Sequence, residues 1–439
     1  MNALSQCRKG AQIGGVPSPK QICLMPDDTF TLRVESDITA LPAASWNACA
    51  SATSPGLSAS SCAASDGGRK TLENLINPFV RHEFLAALEE SGCVAHETGW
   101  LPQHLVLQRT DGTVLGVCPA YLKSHSRGEY VFDQGWADAY ERAGGNYYPK
   151  LQVSVPFTPA TGPRLLAHAG PQAETTRRAL AGGLVALARM RHASSVHATF
   201  LTEEDAQALE GEGFLARTDQ QFHWHNRGYA DFEGFLEDLA SRKRKVIRRE
   251  RREALAEGVS IHWLTGRDLT EEAWDAFFNF YMETGSRKWG RPYLNRRFYS
   301  LIGERMADQI LLVMARRAGR WIAGAINFIG ADTLYGRNWG AIEHHPFLHF
   351  EVCYYQAIEH AIVHRLARVE AGAQGEHKLA RGYLPRTTYS AHYIADPGLR
   401  RAIADYLKRE RAYVEAAGEA LAAAAPFRKD LIREDEEMG

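Results

Sequence analysis

Residues 29–36 (TFTLRVES) alternate apolar and polar positions, the period-two pattern of a half-buried strand, and a short helical stretch runs on through Trp46. Residues 77–91 (NPFVRHEFLAALEES) shift to helical spacing and predict an amphipathic helix, with Asn77 as N-cap, Pro78 in the first turn and Gly92 as the stop. Two later stretches look alike. Residues 105–122 and 310–329 each read as an apolar strand, a tight turn carrying glycine (Asp111-Gly112; Gly319) and a second strand with an internal glycine (Gly116; Gly324). Each is followed by a further strand candidate (130–133; 333–339), a helix (172–192; 350–366) and another strand (196–201; 368–371). A repeated β-hairpin–β–α–β order predicts an internal duplication, although residue identity between the halves is slight. Between them, residues 232–256 hold the basic run SRKRKVIRRERRE. Residues 274–285 form an aromatic-rich helix, 288–298 (KWGRPYLNRRF) a polar, aromatic loop, and 397–425 a long helix before an acidic tail.

A chain of 439 residues exceeds one ordinary core, so two α/β lobes are expected. We assign 29–228 to the first and 229–425 to the second, with a loose segment at 1–28, a flexible Ser/Ala-rich loop at 50–70 and a tail at 426–439. Acidic and basic residues nearly cancel (52 against 51), so any contact with nucleic acid has to come from a local patch. The seven cysteines are scattered and never form CxxC, which argues for a reducing, cytoplasmic setting and against a zinc knuckle. No apolar run reaches the length of a membrane span.

The richest chemistry lies in AQGEHKLARG, residues 373–382, directly after the strand candidate 368–371. Within six residues it offers Glu376, His377, Lys378 and Arg381, flanked by glycines at 372, 375 and 382. Acyl transfer to an amine needs a proton acceptor and a cation for developing oxyanion or phosphate charge, and this segment holds both. A solvated loop with a local Glu–Arg pair is the plainer alternative. Glu351 lies one turn before Tyr355 on the stripe Tyr355, Ile358, Ile362, Leu366, so it should face the sheet rather than solvent. Arg337 and Trp339 would line the adjoining cleft, and Trp289, Arg291, Tyr148 and Lys150 would contribute substrate-binding walls. His360 and His364 are four apart, but Ala361 stands where a zincin needs Glu, and no metal is expected. The cations of Arg242 to Arg252 spread over most faces of one helix. They fit tRNA, a nucleotide or an acidic surface, or simply a salt-bridged helix using Glu250 and Glu253. No Walker A, GxGxxG or GxSxG motif occurs.

Four segments, NPF…LEESG (77–92), GNYYPK (145–150), PFTPATGPR (156–164) and GEHKLARG (375–382), resemble the FemAB-like group of N-acyltransferases, labelled peptidoglycan biosynthesis/recognition or GNAT-family N-acetyltransferase. The resemblance spans nearly the whole chain. It implies two tandem GNAT-like lobes, each a mixed, mainly antiparallel sheet flanked by helices. It further implies a transferase with acyl-CoA or aminoacyl-tRNA as donor substrate, an amine of a small molecule or peptide as acceptor, and no permanently bound cofactor. Residues 242–258 are similar to the basic helix of the aminoacyl-tRNA-dependent members. The GNAT pyrophosphate signature is missing from both His168-Ala-Gly170 and 344–350. The alternative is a non-catalytic tandem GNAT that recognises cell-wall precursors, nucleotides or RNA.

Overall fold

The computed structural model describes residues 21–22, 30–51, 77–289, 292–372 and 375–428, with side chains at all of these except 21, 22, 287–289 and 376. The expected loose start, the Ser/Ala-rich loop beyond Ser51, Arg291 and the acidic tail from 429 lie outside the described residues.

The repeat read from the pattern is present as structure. In the first half a hairpin (His104–Arg109, Val114–Cys118) leads to a strand Lys150–Val153, a helix Ala173–Met190 and two strands, Ser195–Leu201 and Leu215–His225. In the second half the hairpin Ile310–Arg317, Arg320–Ile329 leads to Thr333–Ala341, a helical segment from Leu348 to Val363, and the strands Arg368–Glu370 and Leu384–Ile394. The only parallel pairings among the described strands are Lys150–Val153 with Ser195–Leu201 and Thr333–Ala341 with Arg368–Glu370. In both cases a helix makes the crossover, as parallel neighbours require. Every other pairing is antiparallel, so each lobe has the mixed, mainly antiparallel sheet of the tandem GNAT arrangement.

The halves exchange their last strands. Leu215–His225 inserts between Arg368–Glu370 and Leu384–Ile394, and the latter pairs in turn with Ser195–Leu201. The register is symmetric: Leu215 faces His392, His223 faces Leu384, and Asp219 faces Thr388 at the centre. One eleven-stranded sheet therefore runs through both halves, while a five-stranded sheet holds the first hairpin. The long helix Pro397–Ala423 lies across the exchanged strands, fastened by a bidentate Arg217–Glu410 pair at 2.8 Å. A second seam is aromatic: Phe79 and Phe84 of the first half meet Phe298, Phe328 and Tyr335 of the second at ring separations of 4.9–5.6 Å.

Three local expectations are corrected. Residues 77–91 are not one helix: a 3-10 turn Pro78–Val80, capped by Asn77, ends at Arg81, whose extended backbone restarts the chain as helix His82–Glu90. The break serves packing, because Trp46 Nε1 takes the freed Val80 carbonyl at 2.8 Å and Arg81 reaches Gln309 at 2.8 Å. Residues 130–133 form no strand; Glu129 and Asp133 turn inward to Lys150, and the third strand is Lys150–Val153. The stretch 288–298 is not all loop: helix Glu271–Trp289 extends into it, and Asn295 caps a further helix, Arg296–Met306, by accepting from Phe298 N.

Candidate active site

Strands Thr333–Ala341 and Arg368–Glu370 pair only as far as Tyr335 and Glu370. Beyond that point Arg337 and Asn338 lie between the Asn327↔Gly336 and Ala325↔Trp339 pairs, a bulge that bends the strand along its antiparallel neighbour. Its parallel neighbour instead ends and leads to the 3-10 turn Glu376–Arg381. The sheet thus splits at the C-terminal ends of two parallel strands, a place where α/β proteins hold ligands.

One wall of the split is aromatic. Trp339 meets the His349 ring at 5.2 Å, His349 meets Tyr354 at 5.4 Å, and the Tyr354 hydroxyl lies 3.1 Å from His377 Nε2. Two residues singled out in sequence, Trp339 and His377, thereby share one surface. His377 keeps an exposed edge, and the partial burial of its ring together with the Arg381 and Lys378 charges lowers its pKa, favouring the neutral imidazole.

The turn itself is riveted down by its own cations. Gly375 (φ 109°) and Gly382 (φ 88°) adopt conformations that side-chain-bearing residues avoid, which lets the chain double back. Lys378 donates to the carbonyls of Ala371 (2.5 Å) and Gly372 (2.9 Å), and burial brings its pKa down to about 8. Arg381 donates to both oxygens of Glu250 at 3.0 and 2.8 Å and to the His377 carbonyl at 2.7 Å. Its guanidinium also lies 3.4 Å over the Phe350 ring. Glu250 comes from the basic helix, Ser241–Ala254, so the pair joins that helix to the turn. Where they meet, a recess of about 330 Å³ is lined by Arg242, Lys243, Ile247, Glu250, Tyr355 and Arg381. A shallower groove of about 540 Å³ on the same helix is lined by Arg242, Lys245 and Arg249.

The basic helix has two kinds of cation. Arg248 pairs with Glu233, Arg249 with Glu253, and Arg251 with Glu351 and Glu359. Arg242, Lys243, Arg244, Lys245 and Arg252 have no ion pair among the described residues. Glu351 is fully buried, as its position on the helix stripe predicts, and holds Arg251 and Gln356.

On the opposite face from the helix lies a second polar group that sequence reasoning did not single out as a site. Glu370 is 7 % exposed, and its Oε2 has no hydrogen-bond partner. Burial raises its pKa to about 7, against the pull of Arg368 and of the Thr161 backbone N–H. His223 Nε2 stands 3.9 Å from that oxygen and 3.3 Å from Gln221 Oε1. Above them passes the segment 156–164, whose carbonyls are claimed one by one: Phe157 by Arg337, Pro159 by Gln221, Ala160 and Pro163 by Arg164, and Thr161 by Asn77. An irregular buried segment needs such side-chain donors because it has no ladder of its own. Arg337, expected to line the cleft, thus spends one donor on holding this segment. A charged residue ending a short, otherwise buried strand was the available signal for Glu370.

Tyr148 and Lys150 lie elsewhere, in a buried cluster of the first half. Lys150 reaches Ser126 (2.8 Å), Glu129 (2.6 Å) and Asp133 (2.5 Å), and Tyr148 bonds Ser126 at 2.9 Å. His197 and His392 follow at 2.7 Å from each other. Because His392 opposes His197 just as His223 opposes Glu370, this cluster is the first half's counterpart of the Glu370 site. The backbone of Trp289 closes its helix, and Glu376 opens the turn; their side chains lie outside the described set. His360 and His364 stack at 4.2 Å, and no group of three His, Cys, Asp or Glu close enough for a metal occurs among the described residues.

No curated protein sequence matches the chain. Among solved structures, FemX is 12 % identical with a TM-score of 0.47, over 73 % of this chain and 93 % of its own. A tandem GNAT protein from the clavulanic acid biosynthesis pathway is 13 % identical with a TM-score of 0.42, over 84 % and 99 %. L-PGS from Bacillus licheniformis is 10 % identical with a TM-score of 0.45, over 75 % and 97 %. The FemAB-like family model, described as peptidoglycan biosynthesis/recognition, matches residues 37–429. The chain therefore belongs to the FemAB-like family and is an enzyme of its acyltransferase class.

Proposed function

We propose that the protein transfers an aminoacyl group from aminoacyl-tRNA to an amine of a cell-wall peptide. The observation that carries the choice of donor is the row of cations Arg242, Lys243, Lys245 and Arg249 along the recess and groove of the basic helix, of which only Arg249 has an ion pair among the described residues, with the exposed Glu253. Arg242 and Arg249 are separated by about 10 Å along the helix axis, and the recess and groove together span that length. A row of that extent matches a chain of phosphates better than a single pyrophosphate, which favours a tRNA end over coenzyme A. The missing pyrophosphate signature points the same way. In this reading the Arg242–Lys245 cations seat the carrier, and the acyl end enters the split of the sheet past Trp339, His349 and His377. Lys378 and Arg381 shape the turn that forms the entrance.

The test offers alanyl-tRNA and acetyl-CoA, each with a lysine-containing pentapeptide, and reads the product mass. Transfer from alanyl-tRNA supports the proposal; transfer from acetyl-CoA alone refutes the choice of donor. In parallel, the R242A/K243A variant should weaken tRNA binding and lower the salt slope by about 1.4–1.8, since each lost phosphate contact removes about 0.7–0.9. An unchanged slope would place the carrier elsewhere.

A further inference from the structure

We infer that Glu370, with His223 beside it, is the group that takes the proton from the attacking amine. The inference rests on the transfer reading above and names a residue for it.

The position is the first argument. Glu370 is the last residue paired across the parallel strands before the sheet splits, so its backbone stands at the inner end of the split. The second argument is the orphaned oxygen. A buried carboxylate normally satisfies both oxygens, and here Oε2 faces no donor. Its lone pairs are free for an incoming N–H. Third, the surroundings are built around it: segment 156–164 is fastened at five carbonyls, three by Arg337, Gln221 and Asn77 from other elements and two by its own Arg164, and the Thr161 backbone N–H favours the charged form of Glu370. In the counterpart site of the first half His197 takes the place of Glu370 and is bonded by Tyr147 (3.2 Å), Ser195 (2.8 Å) and His392 (2.7 Å), so no carboxylate stands at that strand position.

The chemistry balances as follows. The neutral amine attacks the acyl carbonyl, forming a C–N bond, and the tetrahedral intermediate carries the extra proton on nitrogen. That proton passes to Glu370. As the ester C–O bond breaks, the electron pair leaves on the ribose oxygen, which receives the proton back and restores the carboxylate. His223 is neutral, its pKa pulled to about 3 by burial and by the charges of His225, Arg368, Arg386 and Lys378, so it can hydrogen-bond without competing for the proton.

A carboxyl whose pKa is near 7 is matched to this task at neutral pH. The charged and titratable groups around Glu370 are Arg368 on its own strand, Arg337 and Tyr335 on the neighbouring strand, Asp332 in the preceding turn, His223 across the ladder and Arg164 in the overlying segment. The cations favour the carboxylate and Asp332 opposes it; burial outweighs them.

The experiment uses the full chain with alanyl-tRNA as donor and two nucleophiles, the alkylamine Nα-acetyl-lysine amide and hydroxylamine. Alkylamine adducts hold their proton tightly and need a base; hydroxylamine adducts release it readily. For E370Q, which keeps the shape of the side chain, kcat with the alkylamine should drop about 10²–10⁴-fold. The loss with hydroxylamine should be at least ten-fold smaller, and the acidic limb of kcat/KM near pH 7 should vanish. E370D, one methylene shorter, should retain the limb with a lower rate. Equal losses with both nucleophiles, or an unchanged acidic limb, would assign Glu370 a structural role and overturn the inference. Wild-type protein that transfers to neither nucleophile would refute the transfer reading itself, and this inference with it.

Discussion

Replacing Arg381 by Met separates two roles for the same residue. As an open cationic clamp it would contribute little to folding and much to donor binding; the geometry makes it a buried rivet. Its guanidinium makes two charge-assisted hydrogen bonds to Glu250, whose side chain and its own are each 7 % exposed. Removing it leaves Glu250 in the interior with the Tyr355 hydroxyl as its remaining side-chain partner. Breaking one partner out of a buried pair costs about 3–5 kcal/mol, because the desolvated charge left behind is uncompensated. The contact with Phe350 lies within that figure, since such contributions do not add. At about 2.1 cal/mol/K of unfolding entropy per residue, a 439-residue chain whose halves share one sheet shifts by about 1 °C per kcal/mol, so R381M should lower the melting temperature by about 3–5 °C. The assay is calorimetry on wild type, R381M, E250Q and R381M/E250Q. The double variant should recover much of the loss, as no unpaired charge remains. A melting temperature for R381M within 1 °C of wild type would refute the reasoning and return Arg381 to the role of an open clamp.

Other perturbations probe other parts of the fold. K150M should destabilise by about 3–5 kcal/mol at neutral pH, as it strands Glu129 and Asp133 in the interior, and the loss should shrink in acid, where carboxyls protonate; a pH-independent loss would contradict this. The raised pKa of Glu370 means the folded state binds the extra proton between about pH 4.5 and 7, so this group erodes stability as pH rises through that window. E370Q should therefore gain relative to wild type from pH 4.5 to 7, by up to about 3 kcal/mol, and a difference that stays flat in urea titrations would argue against the burial effect. Gly340 packs directly on the backbone carbonyl of Phe280, leaving no room for a Cβ, so G340A should cost at least about 1–3 kcal/mol by prising helix Glu271–Trp289 off its strand; an unshifted melting curve would deny that contact.

The elements that pattern revealed are those with one-sided burial or with apolar runs bounded by turns. Strand Phe30–Glu35 and the helix Ala173–Met190 carry clean periods because one face meets a core and the other is more exposed, whereas the hairpin strands, buried over most of their length, show as apolar runs closed by turn glycines. The misreadings share a cause. Asp133, read as the end of a strand, and Glu129 just before that stretch each turn inward to Lys150, 17 and 21 positions away. Residues 77–91 have an unbroken helical composition, and the break at Arg81 exists only because Trp46 and Gln309 provide partners for what it exposes. The polar run after Arg368–Glu370 stood out as a site because strand-end loops carry chemistry. The duty of Lys378 and Arg381 as fasteners could not be read there, since their partners include Glu250, 131 positions away.

By itself, then, the sequence determined the composition of each half, the repeat of hairpin, strand, helix and strand, the basic helix between them and the family resemblance. Local propensity and periodicity act over a few residues, and these features need nothing more. Only the tertiary structure decided that the halves trade their final strands. That exchange sets Glu370 beside His223, and the packing of the basic helix on the turn draws Arg381 inward to Glu250; both bring together groups that chain order keeps more than a hundred residues apart.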